Sequence, residues 1–189
     1  MYGYSAKFPL SSMTPSKTAE ARGLSNQPTD SNHKANLSLL SDFIGKLPFE
    51  FRLNSAYRSP EVNAAVGGAK GSPHLEGLAA DISPTSMTNL QAAAFLFDNA
   101  EQFPELDQII WYTDTSHLHI AINGKRRGEF MKGSKEGGAY YPWAPTTPGL
   151  MRMTAKAAAN RPVMIAAWTL IAGLGTGALF WALRYRLRK

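Results

Sequence analysis

The chain has 189 residues, with 20 Lys and Arg against 14 Asp and Glu and no cysteine, which excludes disulfides and leaves the redox compartment unmarked. All fourteen acidic residues and thirteen of the twenty basic ones precede Leu150, so residues 1–149 carry a formal −1 and the last forty carry +7. The positive excess therefore flanks one apolar stretch and does not coat a folded domain, which removes the argument for a nucleic-acid partner.

Residues 1–30 read as a polar N-terminal arm. Met1 to Leu10 holds one lysine and no apolar run, so no signal peptide is expected there. Residues 31–123 read as the core domain. Leu37, Leu40, Ile44 and Leu47 share one face of a helix near Lys34 to Leu47, which Pro48 stops. A strand follows through Phe49 to Ser55, with Phe49, Phe51 and Leu53 alternating inward. Ser59 and Pro60 are a cap and a first-turn residue, and Gly67 ends that short helix. Another helix is expected over Thr88 to Phe103, halted at Pro104. Strands near Asp107 to Tyr112 and His117 to Ile122 form an antiparallel pair. The predicted class is α+β, helices packed on an antiparallel sheet with a metal cleft.

Beyond the core, residues 124–161 read as a hairpin tip and a Pro/Gly linker. This region contains Lys125-Arg126-Arg127, Gly137-Gly138 and four prolines from Pro142 to Pro162, with Tyr140-Tyr141-Pro142-Trp143 able to pack back on the domain. Residues 162–184 are expected to form a transmembrane helix. Val163 to Leu183 is twenty-one residues without a formal charge, enough at about 1.5 Å each to cross a hydrocarbon core of about 30 Å. Trp168 and Trp181 suit its interfaces with lipid. Residues 185–189 are a basic tail. Four basic residues after the span against three before it favour a domain on the non-cytoplasmic side. Gly173 and Gly177 form a GxxxG pair that permits a homo-dimer.

The chemistry concentrates in Ser72-Pro73-His74-Leu75-Glu76-Gly77-Leu78-Ala79-Ala80-Asp81 and Ser116-His117-Leu118-His119. A catalytic zinc takes three side chains from His, Asp or Glu and keeps one position open. His74, Asp81 and His119 supply such a set. Alternation places His117 and His119 on one face of a strand and Leu118, Ile120 and Ile122 on the other. Asp81 is the one acid in the apolar run Leu78 to Ile82, where a carboxylate needs a cation or a hydrogen-bond partner to be buried. Any one of these histidines alone is more often a core or surface residue, and the weight rests on their conjunction. His33 has no companion ligand and reads as structural.

These strings fit SxHxxGxAxD followed by HxH, and so the chain resembles the zinc D-alanyl-D-alanine carboxypeptidase family of bacterial cell-wall peptidases. Asn54-Ser55-Ala56-Tyr57-Arg58-Ser59-Pro60-Glu61-Val62-Asn63-Ala64-Ala65-Val66-Gly67-Gly68 and Asp107-Gln108-Ile109-Ile110-Trp111 are similar to its phage and bacterial branch, over about Lys7 to Asn123. The resemblance implies Zn2+ on His74, Asp81 and His119, with Arg58 and Ser72 contacting substrate. It implies peptidoglycan peptides as substrate, and a phage virion membrane or bacterial envelope as location. Ser72 is equally well a turn residue before Pro73. Related enzymes commonly place an acid three residues before the last histidine ligand, where this chain has Ser116. His117 is the favoured replacement for proton transfer, by proximity, and Asp114 the rival, which otherwise reads as a turn residue. Two function classes follow: a membrane-anchored zinc peptidase used in wall penetration or lysis, and a wall-binding or structural virion module that keeps the fold and metal without turnover.

Overall fold

In the computed structural model, residues 5–122, 127–134 and 140–142 are described. The polar arm is not merely a lead-in. It forms α1 (Leu10–Met13) and α2 (Lys17–Arg22), the latter capped by Ser16. Phe8 and Met13 are buried in the same apolar cluster as the central elements. Helix α3 (Ser31–Gly45) starts where the Asp30 carboxylate accepts from the Asn32 amide at 2.7 Å, and it buries Leu37, Leu40, Phe43 and Ile44. A side-chain acceptor at that position satisfies one of the amides a helix start leaves unpaired.

Strand β1 (Phe51–Ser55) leads into α4 (Pro60–Ala65), where Ser59 caps the Val62 amide and Pro60 occupies the first turn. A 3-10 turn over Pro73–Glu76 then delivers β2 (Ala79–Pro84). Helix α5 (Asn89–Asp98) opens on a reciprocal capping box between Thr88 and Gln91. Strands β3 (Leu106–Tyr112), β4 (Leu118–Ile122), β5 (Glu129–Gly133) and β6 (Tyr140–Pro142) complete the sheet, in spatial order β1-β2-β4-β3-β5-β6.

The α+β expectation holds, and the antiparallel sheet is corrected to a mixed one. β3 and β5 run parallel, while the other neighbours are antiparallel. Asp107 is the physical reason β5 settles beside β3. Its carboxylate is buried, and it accepts from the Arg127 backbone amide at 2.5 Å and from the Arg127 guanidinium at 2.9 Å. Gln108 adds a bond to Glu129 at 2.8 Å. A buried carboxylate needs such partners, and those it finds lie twenty residues along the chain.

Ile82, Ile109, Leu118, Ile120 and Ile122 join the apolar cluster to which α3 and α5 also contribute. Side chains alternate along a strand, so Asp81 and His119, which are cross-strand partners, project from the opposite face. Among the described residues no helix is long and apolar enough to cross a membrane. The expected span at 162–184, its Gly173 and Gly177 and the basic tail lie outside the described residues.

Candidate metal centre

Each ligand candidate is placed by a different kind of element. His119 stands in the middle of β4, directly across from Asp81 on β2 and beside Ile110 on β3. His74 comes from the 3-10 turn, which closes at Gly77 with a φ of 73°. A side chain at Gly77 would meet the His33 carbonyl oxygen at 2.8 Å and Leu37 Cγ at 2.9 Å. The motif glycine therefore lets the turn lie flat against α3.

The three groups converge. His74 Nε2 is 3.2 Å from His119 Nδ1 and 3.3 Å from Asp81 Oδ1, and His119 Nδ1 is 3.0 Å from the same oxygen. A tetrahedral zinc at about 2.0–2.1 Å from each of three donors spaces them about 3.3–3.4 Å apart. The triangle is thus the size a zinc ion requires, and the donors are those zinc takes. The His74 Nδ1–H donates to the Ala56 carbonyl at 2.6 Å, which fixes the tautomer that turns a lone pair on Nε2 inward. His119 lacks such an anchor: its Nε2 is buried with no hydrogen-bond partner among the described residues.

Electrostatics prepare the set for a cation. Burial pushes the His119 imidazole below its ordinary 6.5, against the pull of Asp81, which favours the neutral ring a metal needs. Burial would raise the Asp81 carboxyl, but the charge of His74 and hydrogen bonds from both histidines, when the rings carry the protons that a metal would displace, outweigh it and hold that carboxyl well below the usual range.

Arg58 lies beside this cluster. Its Nη2 donates to Asp81 Oδ2 and its Nε to Ser55 Oγ at 3.1 Å. The residue expected at the substrate thus also braces the carboxylate of a candidate ligand. Ser72 stands at the start of the 3-10 turn without a side-chain cap bond, two residues before His74. His117 lies just outside β4, half-buried, with its ring 4.7 Å from that of Tyr112. Asp114 is exposed and accepts from the Ser134 hydroxyl at 2.6 Å. Ser116 is exposed in the β3–β4 turn.

Three polar residues near the site were not singled out in the sequence. Tyr112 ends β3 on the same face as Ile110, with its ring edge-on to that of Tyr140 at 6.2 Å between centroids. Burial, the neighbouring Tyr140 and the nearby Asp81 charge all push its phenol upward, so it stays neutral. The Asn89 amide fastens the β3–β4 turn through the Thr115 and Tyr112 carbonyls at 2.6 and 3.0 Å. Asn26 grips the backbone around Arg58. Alternation along β3 places Tyr112 on the ligand face, whereas the partners that tie Asn26 to the Arg58 segment and Asn89 to the β3–β4 turn lie more than twenty residues away.

An α+β sheet that holds a buried His-Asp-His triangle beside an arginine offers a site that could hold one metal ion, the ligand set used by hydrolytic zinc centres. The chain belongs to the Peptidase M15 family, the zinc D-alanyl-D-alanine carboxypeptidase-like peptidases, whose family model matches residues 6–121. That match begins within the N-terminal arm and ends in β4, two residues after His119. None of the curated proteins matches the chain.

Proposed function

We propose that the chain is a zinc peptidase that hydrolyses peptide bonds of bacterial peptidoglycan, as a carboxypeptidase or endopeptidase. The observation that carries this reading is the 3.0–3.3 Å triangle of His74 Nε2, His119 Nδ1 and Asp81 Oδ1. These three residues would hold the ion. Zinc there supplies Lewis acidity toward the scissile carbonyl and brings the pKa of water down to about 7. Arg58 presents a fixed fork of donors beside the site, suited to a substrate carboxylate or to the oxyanion that develops during attack. His117 is assigned the proton transfer. It immediately precedes β4, two residues before His119, and its ring is packed on Tyr112, whereas the Asp114 carboxylate is engaged by Ser134. Ser72 is assigned a substrate contact.

The apolar run at 163–183 is assigned to a membrane, of a phage virion or of the bacterial envelope, with the domain on the non-cytoplasmic side. This assignment draws on the sequence pattern alone. Zinc content and release of D-alanine or loss of cross-links from purified wall, for wild type and His119→Ala, test the reading. One zinc per chain with turnover that the variant lacks is the expected result. Bound zinc with no turnover on any wall chemistry overturns it in favour of a non-catalytic wall-binding module, the alternative that exposed Ser116 keeps open.

A further inference from the structure

Arg58 sits in a short connection between β1 and α4, where no ladder or helix fixes its backbone. Yet both peptide planes that meet at its Cα are held, and by one side chain. Asn26 Nδ2 donates to the Tyr57 carbonyl at 3.0 Å, and Asn26 Oδ1 accepts from the Ser59 amide at 2.8 Å. The first group belongs to the peptide that precedes Arg58 and the second to the peptide that follows it. The same Nδ2 also donates to the Thr14 carbonyl at 2.7 Å, so the clamp is itself anchored in the arm. The Arg58 amide completes the arrangement by donating to the His74 carbonyl at 3.1 Å, and the Tyr57 amide donates to Met13 at 2.9 Å. Asn26 is only 5% exposed, so water does not compete for these bonds.

We propose that Asn26 is a positioning residue for Arg58. By gripping the carbonyl before Arg58 and the amide after it, Asn26 sets φ and ψ at Arg58. Those angles set the direction in which the guanidinium leaves the backbone to reach Asp81 and Ser55. The N-terminal arm is thereby part of the site's machinery although it contributes no group to it. The inference rests on the reading of Arg58 as a contact to substrate. Its chemistry is specific to an amide, because it needs two donors and an acceptor on one short side chain. Asn26→Asp keeps the size and the acceptor but replaces the one nitrogen that donates to both carbonyls by an oxygen that repels them.

Two measurements test it. The first needs neither metal nor turnover: the Arg58 Nε–H resonance of metal-free protein, identified by its loss in Arg58→Lys, compared between wild type and Asn26→Asp. The expected result is a resonance set apart from the other arginines in wild type that collapses into their averaged envelope in the variant. An unchanged resonance in a folded variant overturns the proposal. The second is hydrolysis of wall peptides by Asn26→Asp, Arg58→Ala and the double variant, each at full zinc occupancy. Asn26→Asp alone should lose about tenfold or more in kcat/KM, since a misplacement near 1 Å costs on the order of 10²-fold. In the Arg58→Ala background the same change should cost less than about twofold, the non-additivity expected of coupled residues. Equal losses in both backgrounds would mean a general structural role and overturn the proposal. If Asn26→Asp does not fold, Asn26→Ser, which keeps one donor and one acceptor, is read in the same two ways. Wild-type protein inert on every wall substrate would sink the peptidase reading, and the resonance alone would then decide the role of Asn26.

Discussion

Single residues around the site are constrained by space as much as by chemistry. At Gly77 an added Cβ would lie 2.8 Å from the His33 carbonyl, on a backbone whose positive φ already disfavours a side chain. Gly77→Ala should therefore cost roughly 2–4 kcal/mol of stability, from left-handed strain plus overpacking. Urea unfolding checks this, and a loss under 0.5 kcal/mol, the scale of an indifferent surface change, would contradict it. A pH dependence follows from His119. Its folded pKa lies below 6.5, so the unfolded chain binds more protons once the pH drops beneath that value. The stabilisation is complete above 6.5 and declines as the pH falls from there toward the folded pKa. Metal-free protein should thus be less stable at pH 5 than at pH 7.5, and His119→Ala should flatten that slope. Sequence alone reached the three residues that converge in the structure, because a lone acid in an apolar run and a histidine alternating with core residues are local signals. Asn26 and Asn89 escaped it, since an asparagine that clamps distant carbonyls looks the same in sequence as one in a turn.

At the scale of elements, capping and periodicity were informative and long-range pairing was not. Ser59-Pro60 and Thr88 mark helix starts in the sequence, and both are caps in the structure. α5 ends at Asp98, earlier than Pro104 suggested, and a separate 3-10 turn over Ala100–Gln102 fills part of the interval. β2 was missed as a strand because both of its faces are buried, so Ala79 to Ile82 shows no alternation. The parallel β5 was missed because its stabilising partners, Asp107 and Gln108, are remote in sequence. The capping box makes a quantitative claim. Thr88→Ala removes the acceptor for the Gln91 amide at 3.2 Å and should cost about 1 kcal/mol. Because Asn89 in the first turn of α5 holds the β3–β4 turn, this variant should also raise amide exchange at Thr115 to His117. Protection unchanged there, in a destabilised variant, would mean that the helix start does not govern the turn.

For the whole molecule, the described fold and the complete ligand triangle lie within residues 5–142, ahead of the basic and apolar C-terminal forty. A chain that stops at Gly149 should therefore keep its thermal unfolding and its zinc stoichiometry, and, on the proposed anchor, the full chain should sediment with lipid vesicles while the truncated one should not. Retained vesicle binding by the truncated protein would remove the anchor reading and leave the peptidase reading standing.

The ligand triangle joins a 3-10 turn, β2 and β4 across as many as 45 positions of sequence. Contacts of that span close late, because the chain pays loop entropy before they return any stabilisation. Zinc should therefore act on the exit from the native state and not on the approach to it. Stopped-flow chevrons with and without zinc should share a folding arm while the unfolding arm drops when the metal is present. The ion would then serve as a kinetic latch on a finished structure, lengthening the life of the folded state without guiding the chain toward it.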